Sequence, residues 1–91
     1  MRDSIANAAI KAHVVELLNA YDSGHQIAPI SESYPAFSTA SAYRVTHEIT
    51  AQREVRGERR VGRKIGFTNR TIWPIYGVSG PIWGPVWDTT L

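Results

Sequence analysis

The sequence predicts an α+β chain: two N-terminal helices, then short strands and an aromatic-rich, irregular tail. Three observations carry that expectation. Apolar residues recur at three- and four-residue spacing over 4–23, a second and weaker helical pattern follows a proline-bearing linker, and from Val61 the period drops to two.

The first helix is expected over about 4–23, "SIANAAIKAHVVELLNAYDS", with Ile5, Ala8 or Ala9, Ala12, Val15 and Leu18 on its apolar side. Asp3 or Ser4 is placed to cap its start, and Gly24 to end it in a left-handed conformation. The alanines would let a neighbour approach closely. Residues 24–38 read as a linker with two prolines, anchored by Ile27, Ile30, Tyr34 and Phe37. The second helix is expected over about 39–56, capped by Ser38 or Thr39 and ended by Gly57. One of its faces would carry Tyr43, Thr46 or His47, Thr50 and Arg53 or Glu54, with Val45 and Ile49 as a second stripe.

"VGRKIGFT", 61–68, alternates as a strand. Val61, Arg63, Ile65 and Phe67 fall on one side, and Gly62, Lys64, Gly66 and Thr68 on the other. In the tail, 69–91, Pro74 keeps any regular element brief, and "GPIWGPVWD" suits a loop feeding an edge strand. The whole reads as a single segment, 1–91.

Composition removes several classes of function. The chain has 91 residues, 43% of them hydrophobic, so it forms one domain at most and is too apolar for simple disorder. It has no cysteine, which rules out disulfides and thiolate metal ligands. No apolar run is long enough for a transmembrane helix, and the N-terminus does not read as a secretory signal, so a cytoplasmic location without a membrane partner is expected. A net charge of +2 is slight for a nucleic-acid binder. Arg53, Arg56, Arg59, Arg60, Arg63 and Lys64 lie close together, but Glu54 and Glu58 interrupt them. They read as a solvated helix end rather than a phosphate grip.

Of the ten basic side chains only two, Lys11 and Lys64, are lysines. Lys64 has glycine at i−2 and i+2 on its own face, which leaves backbone open to a ligand on both sides of its ammonium. Gly66 and Thr68 would border that ligand, with Thr68 as a hydrogen-bond donor. His13, His25 and His47 match no metal spacing, and His13 pairs most simply with Glu16 on the surface. No D-x-D or E-x-E pair occurs, so no metal ligands are assigned within the chain. Trp73, Tyr76, Trp83 and Trp87 offer an interface or a pocket wall.

Taken in order, the "YP" linker, "STASAYRV", "GRKIGFTNRTIWPIYG" and "VSGPIWGPVWDTTL" resemble the N-terminal region of the 2-keto-4-pentenoate hydratase and 4-oxalocrotonate decarboxylase family, within the fumarylacetoacetate-hydrolase-like superfamily. That resemblance implies an oligomeric lyase using Mg²⁺ or Mn²⁺ on 2-keto-enoic acids from aromatic degradation. It places the family's active-site lysine on Lys64, with Gly66 and Thr68 beside the bound acid. It also implies that the metal-binding carboxylates lie in a C-terminal part not present here, so the chain is expected to be inactive alone. Its partner would be that missing part or a second copy. Ile82 stands where many members carry an acidic residue, which leaves hydration and decarboxylation both open. The alternative reading is a non-enzymatic oligomerisation or interaction module that uses the C-terminal aromatic surface.

Overall fold

The computed structural model describes residues 5–90. The architecture is α+β, and the chain divides into two compact units, through Gln52 and from Arg53 onward. The expected caps Asp3 and Ser4 lie outside the described residues.

In the first unit, α1 spans Asn7–Ser23, preceded by Ala6, which makes no side-chain cap bond. It ends in a Schellman motif. Gly24 takes φ 71° and ψ 27°, and the amides of Gly24 and His25 donate to the carbonyls of Tyr21 and Ala20. The buried face is not the alanine face. Ile10, His13, Val14 and Leu18 are buried and Leu17 and Ile5 pack beside them, whereas Ala8, Ala12 and Val15 are exposed. Rotating the helix this way hides isoleucine, valine and leucine instead of alanine methyls, and buried apolar area decides the choice.

The linker is more ordered than its composition suggests. A single helical turn, α2 (Ile30–Ser33), follows Pro29 and leads Tyr34 and Phe37 to the ring of His13. His13 is therefore no surface partner of Glu16. It is 5% exposed, and its ring meets Tyr34 and Phe37 edge-on at centroid distances of 4.7 and 5.5 Å.

Helix α3 spans Thr39–Val55. Ser38 caps it reciprocally with Ser41: the Ser41 amide donates to Ser38 Oγ, and the Ser38 amide donates to Ser41 Oγ. Its core stripe is the second one expected, Val45 with Ile49, joined by the fully buried Ser41. Arg44 ties the helix to the start of α1, donating to the Ile5 carbonyl at 2.7 Å and to Asn7 Oδ1 at 2.5 Å.

The second unit is built on a two-stranded antiparallel sheet, β1 (Arg60–Gly66) with β2 (Ile82–Trp87). The register runs from Arg60 opposite Trp87 to Gly66 opposite Ile82. A bulge between Arg60 and Gly62 leaves Val61 as the extra residue. Between the strands lie a 3₁₀ turn, Arg70–Ile72, and the short helix α4 (Trp73–Tyr76). A further 3₁₀ turn, Asp88–Thr90, follows β2. Among the described residues no helix is long and apolar enough to cross a membrane.

The arginine run is not a uniformly solvated helix end. Gly57, at φ 94°, lets the chain reverse, and the amides of Gly57 and Glu58 bond the carbonyls of Glu54 and Arg53. This reversal swings Glu58 back over the last turn. Its carboxylate meets Arg53 Nη1 at 2.7 Å and takes a fork from Arg56, Nε at 3.1 Å and Nη2 at 2.8 Å. The Thr89 hydroxyl donates to the same carboxylate. Arg53 is 5% exposed and stacks on the buried Trp87 ring at 5.6 Å. The Asp88 amide donates to the Arg59 carbonyl and the Arg59 amide donates to Asp88 Oδ1, which completes a clamp at this end of the sheet.

Candidate functional site

Lys64 lies on β1 directly opposite Gly84 of β2. The two residues flanking it on its own face are glycines, as alternation predicts, and the cross-strand neighbour is a third. A Cβ built on Gly84 would stand 3.7 Å from Lys64 Cε, so the lysine stem lies over bare backbone. Two rungs on, Gly66 stands opposite Ile82, whose Cγ1 would be 3.5 Å from a Cβ at Gly66. A cleft of about 260 Å³ results, lined by Lys64, Ile65, Gly66, Ile82, Trp83 and Gly84. It offers one ammonium among apolar walls and open peptide groups, a setting that suits a small carboxylate with an apolar tail.

Of the side chains singled out from the sequence, Lys64, Gly66 and Trp83 come together in this cleft. Thr68 does not share the strand face. β1 stops at Gly66, and Phe67 turns the chain with φ 55°, the one positive φ outside glycine among the described residues. That conformation costs a residue with a Cβ about 1–2 kcal/mol. It is held from outside the strand: Trp73 Nε1 donates to the Phe67 carbonyl at 2.7 Å, and the Phe67 ring meets Tyr76 edge-on at 5.5 Å. Trp73 and Tyr76 thus support the strand end without lining the cleft. Trp87 is 4% exposed and belongs to the clamp with Arg53. Trp83 is 42% exposed, with Arg63 over its ring at 5.1 Å.

Gly84, Ile82 and Ile65 were missed as site residues. The signal was present for Ile82 and Gly84: alternation through "IWGPVW" sets Ile82, Gly84 and Val86 on one face of the second strand. What alternation lacks is the register that brings that face to Lys64.

The strongest electrostatic feature lies at the other end of the sheet. The Thr89 hydrogen bond, then the Arg56 and Arg53 guanidinium groups, hold the Glu58 carboxyl below its ordinary range against the opposing effect of burial. Glu58 is therefore committed to structure. Among the described residues no group of three or more histidines and carboxylates is placed to hold a metal ion.

No family model matches the chain. Curated relatives do. The 2-keto-4-pentenoate hydratase of Paraburkholderia xenovorans is 36% identical over 72 residues, which is 79% of this chain and 27% of that enzyme. The 4-oxalocrotonate decarboxylase of Pseudomonas putida is 31% identical over 84 residues, 92% of this chain and 32% of the other. Among solved structures, the 4-oxalocrotonate decarboxylase from Pseudomonas putida G7 superimposes with a TM-score of 0.91 at 30% identity. The match covers 97% of this chain and 34% of that one, in complexes with calcium and acetate and with magnesium and adipate. The chain spans about a third of the length of the relatives it matches. By sequence and by structure alike, it is homologous to the 2-keto-4-pentenoate hydratase and 4-oxalocrotonate decarboxylase family of the fumarylacetoacetate-hydrolase-like superfamily.

Proposed function

We propose that this chain supplies the lysine of a divalent-metal-dependent lyase, a hydratase or decarboxylase, acting on 2-keto-enoic acids from aromatic degradation. The observation that carries the reading is Lys64 lying across Gly84 with glycines on either side along its own strand. Lys64 is exposed at the cleft, and a carboxylate or enolate oxygen entering it would accept a hydrogen bond from the ammonium. Gly66 would let the ligand approach the backbone, and Thr68, beyond the turn, would border its far end. The described residues do not provide a divalent-cation donor set, so the Mg²⁺ or Mn²⁺ of such an enzyme would be held by other carboxylates, and no step is routed through it.

Magnitudes argue that the chain does not work alone. An exposed ammonium–carboxylate pair contributes at most about 1 kcal/mol, whereas even millimolar binding needs about 4 kcal/mol. Lys64 is exposed, so enclosure by further protein, either the rest of such an enzyme or a second copy, is needed to make it effective.

The test is a chimera in which this chain replaces the matching third of the Pseudomonas putida 4-oxalocrotonate decarboxylase. Turnover of a 2-keto-enoate is expected, with a loss of at least about a hundredfold in Lys64→Ala. Undiminished turnover in that variant would remove the assignment. A second reading, an oligomerisation or interaction module, is favoured by one observation: Ile65, Ile75, Tyr76 and Trp83 are all exposed. Sedimentation of the chain as a compact monomer at high concentration would count against it.

A further inference from the structure

The lysine cleft ends where β1 ends, and what ends β1 is not local. Gly66 is the last residue of the strand and forms the rim of the cleft against Ile82. The next residue, Phe67, holds φ 55°. Phenylalanine has no side-chain oxygen to stabilise that conformation itself, as asparagine or aspartate would, so another group must hold it. That group is Trp73, whose indole N–H reaches the Phe67 carbonyl at 2.7 Å.

Trp73 can act as a fixed donor because its own turn is closed at both ends. Asn69 Oδ1 accepts from the Thr71 amide at 3.1 Å and from the Thr71 hydroxyl at 2.7 Å, starting the 3₁₀ turn that runs directly into α4. Behind it, the amides of Gly77 and Val78 bond the carbonyls of Pro74 and Trp73. Pro74 in the first turn of α4 limits the backbone there further. The indole–carbonyl bond therefore closes a small loop within the long connection between the strands, where a free chain would be entropically costly to order.

We propose that Trp73 is a positioning residue for the Lys64 cleft. Its indole N–H locks Phe67 in the left-handed conformation, stops β1 at Gly66, and so fixes the rim that the lysine works beside. The importance of that rim rests on the reading of Lys64 given above, but the lock itself does not, and the two fail separately.

Hydrogen exchange of the 91-residue chain, followed residue by residue by NMR without any ligand, tests it. Trp73→Phe keeps a large ring and removes the donor. Exchange at the paired amides within 64–66 and 82–84 should rise about five- to tenfold, with little change at the clamp end near Arg60 and Trp87. Adding Phe67→Gly, which accepts φ near +55° without help, should restore most of that protection in the Trp73→Phe background. A merely structural tryptophan would not be rescued by a glycine six positions away.

Equal loss at both ends of the sheet, absence of rescue, or no protection in the parent chain would each overturn the proposal. Loss of turnover in the Lys64→Ala chimera bears only on the lysine. An intact lock beside a dispensable Lys64, or the reverse, would separate the two ideas.

Discussion

Replacing Gly84 tests the geometry of the cleft at its tightest point. A Cβ at Gly84 would stand 3.7 Å from Lys64 Cε, an ordinary van der Waals distance, so Gly84→Ala should be accepted without moving the lysine. The φ at Gly84 lies outside the left-handed region, and restricting the unfolded chain should then stabilise by about 0.4–1 kcal/mol. Gly84→Val is different. Its γ-carbons project roughly 1.5 Å beyond Cβ and enter the space of the lysine stem. Overpacking a rigid site costs about 1–3 kcal/mol, but moving an exposed side chain to another rotamer costs about 0.5–1.5 kcal/mol. The cheaper response wins, so the strands stay and Lys64 swings away. The chain has two lysines, so reductive methylation with ¹³C-formaldehyde gives separate reporters for Lys11 and Lys64. The Lys64 signal should hold its position in Gly84→Ala and shift in Gly84→Val, while Lys11 stays in place in both and the thermal midpoint rises by about 2–8 °C in Gly84→Ala. A Lys64 signal that moves equally in both variants, or in neither, would refute the argument.

Other positions give independent tests. Val14 is fully buried and Val15 is 55% exposed, so Val14→Ala should lose about 2–3 kcal/mol in urea unfolding and Val15→Ala less than about 0.5 kcal/mol. Ser38→Ala breaks the reciprocal cap with Ser41 and should cost about 1 kcal/mol in the same assay. His13 Nε2 is buried and makes no hydrogen bond, so His13→Phe, which keeps the edge-on ring contacts, should raise stability by about 1 kcal/mol. Glu58 has its carboxyl held below the ordinary value near 4.3, so its contribution is complete above that pH and disappears as pH falls through the lower folded-state value. Tryptophan fluorescence should therefore report an acid transition below the ordinary carboxylate range, and Glu58→Gln should remove that step.

The helices, the period-two segment and the isolated lysine were legible because each depends on residues a few positions apart. Gly24 and Gly57 mark helix ends by a local rule, and both take positive φ. The rotation of α1 was not legible, since Val15 and Val14 differ in burial only through what they face. Val45 joins Ile10, Val14 and Leu18 in one core by tertiary packing, which spacing along one helix cannot reveal. Glu58 could have been read: a glycine at the helix end followed by a glutamate returns a carboxylate to arginines already in the last turn. Gly84 could not, because its meeting with Lys64 depends on register across a long connection. The stop at Gly66 was hidden for a related reason. "IGFT" alternates well, and only a tryptophan further along turns Phe67 out of the strand.

The extra residue at Val61 has an effect out of proportion to its size. With Val61 paired one-for-one after the Arg60–Trp87 rung, Lys64 would meet the bulk of Trp83 and Arg63 would meet Gly84. The bulge shifts the phase of one strand against the other by one step, and thereby selects an amine rather than a guanidinium to lie over the bare backbone. The identity of the cation at this cleft is in that sense a property of the bulge. Drawing Val61 into the ladder would exchange two basic side chains without altering a single letter of either, whereas deleting it would remove the bulge and keep Lys64 opposite Gly84.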